Sequence, residues 1–94
     1  MIVRNSYLVC YDIGDPKRWR AVHKLMLAYG QPLQLSVFLC RLSEVEYEHM
    51  RGRVLEALNR AEDAFAVAHL GREGTDQVDT YGLTRWDKGR RVVV

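Results

Sequence analysis

Ser6-Tyr7-Leu8-Val9-Cys10-Tyr11-Asp12-Ile13 is an apolar run rich in β-formers, carrying one carboxylate near its end and followed by Gly14-Asp15-Pro16. A short apolar run closed by turn residues reads as a buried central strand. Its carboxylate, Asp12, then stands at the edge of the sheet, where a rigid strand aims the group and the following loop leaves room for a ligand. The rest of the chain either covers this strand or brings positive charge toward its end.

On the C-terminal side, Asp15 is placed to cap a helix and Pro16 suits its first position. Trp19, Val22, Leu25, Met26 and Tyr29 recur at helical spacing and form a core stripe, with Gly30 as the expected stop. Lys17, Arg20 and Lys24 share the opposite side. Arg18 lies nearer the apolar stripe, where a guanidinium is costly to bury without an anion. From Pro32 to Leu42, Leu33, Leu35, Val37 and Leu39 alternate with Gln34 and Ser36, the period of a half-buried strand. The run suits one long strand or two short ones bent between Ser36 and Cys40.

Ser43 and Glu46 form a capping box that opens a second helix, expected to run to about Arg60. Tyr47, Met50, Val54, Ala57, Leu58 and Ala61 make its apolar face. Its glutamates come early and its arginines late, as the helix dipole prefers. Ala64 to Leu70 reads as another strand, Gly71 to Gly74 as a turn, and 77–82 as a possible short strand. The tail is basic through Arg85, Lys88, Arg90 and Arg91 and ends in three valines, which read as an edge that pairs with a sheet. The order β-α-β(β)-α-β implies a single ferredoxin-like α+β domain over 1–94 with a C-terminal β extension from about 76. The sheet face away from the helices also carries apolar residues, and a second copy of the chain would cover it.

A chain of 94 residues suffices for one domain, and its net charge of +2 is too small to imply nucleic-acid binding by itself. Cys10 and Cys40 form no C-x-x-C pair and read as buried thiols of a reducing cytosol. Met1 to Arg4 has no signal-peptide core, and no apolar run approaches the roughly 20 residues that span a bilayer, so a cytoplasmic location and no membrane partner are expected.

Asp12 is the main chemical candidate, because magnesium takes one or two carboxylates and completes its shell with water and phosphate. By itself, a lone aspartate at this place is as readily a cap on the following loop. Lys17, Arg18, Arg20 and Lys24 could hold phosphates or simply form a solvated helix face. His23, His49 and His69 lack ligand spacing, and Ser36 has no evident triad partner. Tyr7, Tyr11, Phe38 and Trp19 read as core or interface residues rather than stacking platforms.

Tyr-Leu-Val-Cys-Tyr-Asp-Ile at 7–13, Lys-Arg-Trp-Arg-Ala-Val-His-Lys-Leu at 17–25, Tyr-Gly at 29–30 and Leu-Gln-Leu-Ser-Val-Phe-Leu-Cys-Arg-Leu-Ser at 33–43 occur in that order. Together they resemble the smaller of the two core CRISPR adaptation proteins, over about residues 6 to 60. The resemblance implies a ferredoxin-like homodimer in which Asp12 and its symmetry mate bind Mg2+ jointly near the two-fold axis. It implies a metal-dependent endonuclease acting on RNA or DNA. It also implies a role in spacer acquisition, in which the dimer bridges the CRISPR integrase subunit, and a C-terminal strand that completes the partner's sheet. Where many relatives carry a basic residue near the Ser-Val-Phe strand this chain has Pro32-Leu33, so no phosphate contact is assigned there. Two further readings stand beside the enzyme: a non-catalytic adaptor for duplex DNA, and a ferredoxin-like regulatory or RNA-binding module.

Overall fold

A computed structural model of the protein describes residues 1–82. The elements are β1 (Asn5–Asp12), α1 (Pro16–Tyr29), β2 (Gly30–Gln34), β3 (Val37–Leu42), α2 (Glu44–Ala57) and β4 (Ala64–Arg72). They make a four-stranded antiparallel sheet in the order β2-β3-β1-β4, so the opening strand is indeed central. This is the ferredoxin-like arrangement expected from the sequence.

Period-two alternation divides β1 between the two sheet faces. Tyr7, Val9 and Tyr11 join Phe38, Cys40 and Leu42 of β3 against Val22 and Met26 of α1 and Met50 and Val54 of α2. Both helices therefore cover one face. Leu8, Cys10 and Asp12 alternate onto the other face, paired with Leu39 and Val37 of β3 or with Ala68, Ala66 and Ala64 of β4. No described helix covers that face. At its far end the chain after β4 does fold over: Asp76 accepts from the Ser6 hydroxyl at 2.8 Å and from the Gly74 N–H at 3.2 Å, and lies 3.7 Å from Arg41.

The alternating run after α1 resolves into two strands joined at Leu35-Ser36. Gly30 ends α1 with an extended backbone (φ −157°, ψ −175°) and is also the first residue of β2, so helix passes into strand with no loop. A left-handed turn is not what needs glycine there. A Cβ at that position would fall 2.5 Å from Cys40 Sγ and 2.7 Å from the Leu39 carbonyl oxygen.

Three boundaries differ from expectation. Helix α2 stops at Ala57, three residues before Arg60, and Ala61 is exposed rather than on the apolar face. The cause is local. Asn59 and Asp63 close a turn in which the Asn59 N–H donates to the Asp63 carboxylate at 3.0 Å and the Ala61 N–H to the Asn59 side chain at 3.0 Å. Such side-chain bonds offer the backbone an alternative to further helix. Residues 77–82 form no strand, because the chain turns away from the β4 line at Gly74 (φ +88°) and is anchored by Asp76. Strand β4 runs two residues past Leu70, to Arg72. The expected roles of Arg85, Lys88, Arg90, Arg91 and of Val92 to Val94 lie outside the described residues.

Candidate functional site

Strand β1 delivers Asp12 to the sheet's end as an exposed carboxylate. Among the described residues it has neither a hydrogen-bond donor nor a cationic partner. Beside it opens a cleft of about 550 Å³ lined by Asp12, Ile13, Gly14, Pro16, Trp19, Arg20, Leu35 and Ser36. Three segments thus converge: the end of β1, the first turn of α1, and the β2–β3 turn.

Helix α1 starts where it does because Asp15 caps it, accepting from the Arg18 N–H at 2.9 Å, with Pro16 in the first turn. The carboxylate of Asp15 is thereby committed to the backbone, which leaves Asp12 as the ligand candidate of this loop. Lys17, Arg20 and Lys24 are exposed on α1, and Arg20 reaches the cleft.

Arg18 is placed differently from its neighbours. Its Nε donates to Asp63 at 2.8 Å, one Nη donates to the other Asp63 oxygen at 3.2 Å, and the same Nη lies 3.3 Å from Glu62. The anion that the sequence demanded for this guanidinium is internal. The Arg18 Nε and one Nη are thus held by an internal anion, which leaves Arg20 as the arginine that lines the cleft. The Asp63 side chain has no exposed surface. It also accepts from the Asn59 N–H at 3.0 Å, and the Arg18 bond together with this holds its carboxyl below the usual range. Asp63 was missed in the sequence. The available signal was an acidic pair, Glu62-Asp63, just ahead of β4, whose strand pairing sets Ala64 opposite Asp12.

Behind the cleft lies a second brace. The Trp19 indole N–H donates to Ser36 Oγ at 3.1 Å, and the ring stacks on His23 with centroids 4.5 Å apart and planes 14° apart. His23 Nδ1 is 3.0 Å from the Tyr11 hydroxyl. Burial lowers the His23 pKa and raises that of Tyr11. The Tyr11 N–H closes the frame on the Ser36 carbonyl at 3.1 Å. Tyr7, Tyr11 and Phe38 are buried, as expected of core residues. Trp19 is only half-buried and forms a cleft wall.

His49 and His69 share no metal-binding cluster with other groups, and no trio of His, Cys, Asp or Glu ligands gathers anywhere among the described residues. Among the residues lining the cleft, one chain offers a divalent cation one carboxylate, Asp12. That fits magnesium's habit of keeping several waters, and fits better if a second Asp12 adjoins it. Cys40 is buried, with its thiol pushed up to about 12, and Cys10 is half-buried; both are free. No helix of the described residues is long and apolar enough to cross a membrane.

The family model of CRISPR associated protein Cas2 matches residues 5–90. A relative from Geobacter sulfurreducens, named CRISPR-associated endoribonuclease Cas2, is 43% identical over 69 residues, covering 73% of each chain. A relative of the same name from Thermus thermophilus is 36% identical over 87 residues, covering 88% of this chain and 93% of its own. The crystal structure of Cas2 from Streptococcus pyogenes at pH 6.5 superposes with a TM-score of 0.72 at 33% identity, covering 82% of this chain and 99% of that one. A hypothetical protein from Thermus thermophilus superposes with a TM-score of 0.75 at 34% identity, covering 85% and 93%. With the family model matching most of its length and these relatives more than 30% identical, the chain belongs to the CRISPR-associated protein Cas2 family.

Proposed function

We propose that the protein is a magnesium-dependent endoribonuclease that works as a homodimer in CRISPR adaptation. The observation that carries the catalytic reading is the contrast at the sheet's end. Asp12 is exposed and unbonded at the rim of a cleft, with Arg20 on the same cleft, while nearby Asp15 caps α1 and Asp63 holds Arg18. A free carboxylate aimed by a strand at a concave surface is what a hard cation needs.

In this reading Asp12 and the Asp12 of a second copy hold the ion. When bound there, the cation polarises a phosphoryl oxygen and makes a coordinated water more acidic. Arg20 draws the scissile phosphate into the cleft. Lys17 and Lys24 hold flanking phosphates along α1. Arg18 and Asp63 tie the first turn of α1 to the residue before Ala64, which pairs with Asp12, so that Asp12 keeps its aim. The dimer contact is the helix-free sheet face, where Leu8 and Leu39 lie side by side and Asp12 stands at the end of the same strand. Incubating labelled single-stranded RNA with and without magnesium tests the enzyme. Cleavage by the wild type and none by Asp12→Asn is expected; equal cleavage by a purified Asp12→Asn protein would overturn it. A Leu8→Asp variant should sediment as a monomer and lose cleavage, since each copy then keeps only one carboxylate.

A second reading is favoured by a separate observation. Lys17, Arg20 and Lys24 form an exposed basic stripe on α1 with no acidic partner among the described residues. Such a stripe also suits a non-catalytic adaptor that holds duplex DNA beside the CRISPR integrase subunit. Spacer acquisition that persists with Asp12→Asn but fails with the three charges reversed would assign this role in the cell.

A further inference from the structure

The cleft beside Asp12 contains more than the phosphate chemistry requires. A cation and a phosphate need oxygen ligands and positive charge, yet much of the wall is apolar: Ile13, Pro16, Trp19 and Leu35. Leu35 is 51% exposed at the lip, on a turn that could have carried a polar residue at no cost. About 550 Å³ is also far more than a hydrated ion occupies.

We propose that this cleft is a nucleobase subsite, in which one base of a single-stranded RNA stacks against Trp19 while its phosphate meets Arg20 and the Asp12 cation. The proposal rests on the endoribonuclease reading and adds the part of the substrate that the cleft grips. Three observations converge. The indole is held by the Ser36 bond at one edge and by His23 on one face, so little freedom remains to be lost on binding. His23 is itself held by the Tyr11 hydroxyl at 3.0 Å and packs edge-on against Phe38, which backs the platform with a second layer. Ser36 Oγ accepts the indole N–H and keeps its own proton to donate, offering one hydrogen bond to a base or ribose acceptor at the cleft floor. Charge complementarity selects a nucleotide over a neutral apolar ligand, because Arg20 and a cation-binding carboxylate share the wall with the aromatic ring. Every base has a π-face, so such a subsite tolerates sequence. It excludes duplex, whose bases are already stacked.

The experiment uses the full chain and a set of short single-stranded RNAs of one sequence, each with one abasic ribose at a different position. Binding is read by fluorescence anisotropy in EDTA, and cleavage is read in parallel with magnesium. One position is expected at which removing the base weakens wild-type binding by about ten-fold. Trp19→Leu should weaken the intact RNA by the same factor and become indifferent to base removal at that position. Trp19→Phe should restore most of the dependence. Leu35→Asp, at the exposed lip, provides a second variant should Trp19→Leu not fold, and should lose several-fold of the base dependence with an unchanged melting temperature. A wild type that binds RNA yet is insensitive to base removal at every position overturns the subsite, as does a folded Trp19→Leu or Leu35→Asp protein that keeps the full effect. Absent magnesium-dependent cleavage with base dependence intact would sink the nuclease reading alone and leave the subsite standing.

Discussion

Asp12 and Asp63 lie at the same end of the sheet, one closing β1 and the other preceding β4, and their surroundings are opposite. Asp12 faces solvent and has no described partner. Asp63 has no exposed side-chain surface and takes a forked guanidinium and the Asn59 backbone N–H. One carboxylate is left available and the other is used up. Their cationic neighbours divide in the same way, with Arg18 engaged by Asp63 and Arg20 open to the cleft. A charged group becomes a site when the fold spends its hydrogen bonds elsewhere, and residue type does not distinguish the two cases.

The largest effect that would break this contrast is on catalysis. Asp12→Asn should lower the magnesium-dependent cleavage rate at least about 100-fold while leaving the thermal melt within about 2 °C of wild type, since it removes no bond of the fold. Asp63→Asn should do the reverse in its main effect. It leaves Arg18 without its anion, and the melting temperature should fall by about 10 °C, measured by calorimetry. If the two variants gave the same profile, the division of labour would be wrong.

Acid titration sharpens the point. Asp63 has a folded pKa depressed chiefly by the Arg18 bond. Its contribution is thus complete above the unfolded value of about 3.9 and is lost as the pH falls through the folded value. Wild type should lose stability below about pH 4 more steeply than Asp63→Asn, as read from denaturant midpoints across pH. The two arginines supply a smaller test. Exchanging Lys17, Arg20 and Lys24 for glutamine should reduce the slope of log affinity against log salt for single-stranded RNA by about 2, at about 0.7 per phosphate contact. Arg18→Gln should change that slope little and lower the melting temperature instead. The smallest effect belongs to the second brace. Tyr11→Phe removes the partner of His23 Nδ1 and should cost about 1 kcal/mol in urea unfolding.

Much of this was legible in the chain. The Ser6–Ile13 run is apolar enough to demand the centre of a sheet, and the Ser43–Glu46 capping box forms as written, with the Ser43 hydroxyl 3.2 Å from the Glu46 N–H and the Glu46 carboxylate 2.8 Å from the Ser43 N–H. These are local or periodic signals. Arg18 shows where such signals end. Its spacing on α1 placed it near the apolar stripe and required an anion, but the anion lies 45 residues away, and no local pattern names it. The early end of α2 was hidden for a similar reason. The Asn59–Asp63 turn that competes with helix shares its carboxylate with Arg18, a partner no local pattern names. The aromatic reading held for Tyr7, Tyr11 and Phe38. For Trp19 the helical stripe was right, but its place at the stripe's end leaves the ring half-open on the cleft.

The direct passage from α1 into β2 at Gly30 has a mechanical consequence. With no slack between them, the helix that carries Trp19 and Arg20 is geared to the register of β2 on β3. One residue inserted between Tyr29 and Gly30 must either rotate α1 by about 100° or slip β2 by one place and reverse its faces. Either way the error arrives at the far end of the helix, at the mouth of the cleft. Among the described connections, this junction should tolerate insertion least, though it stands outside the cleft lining.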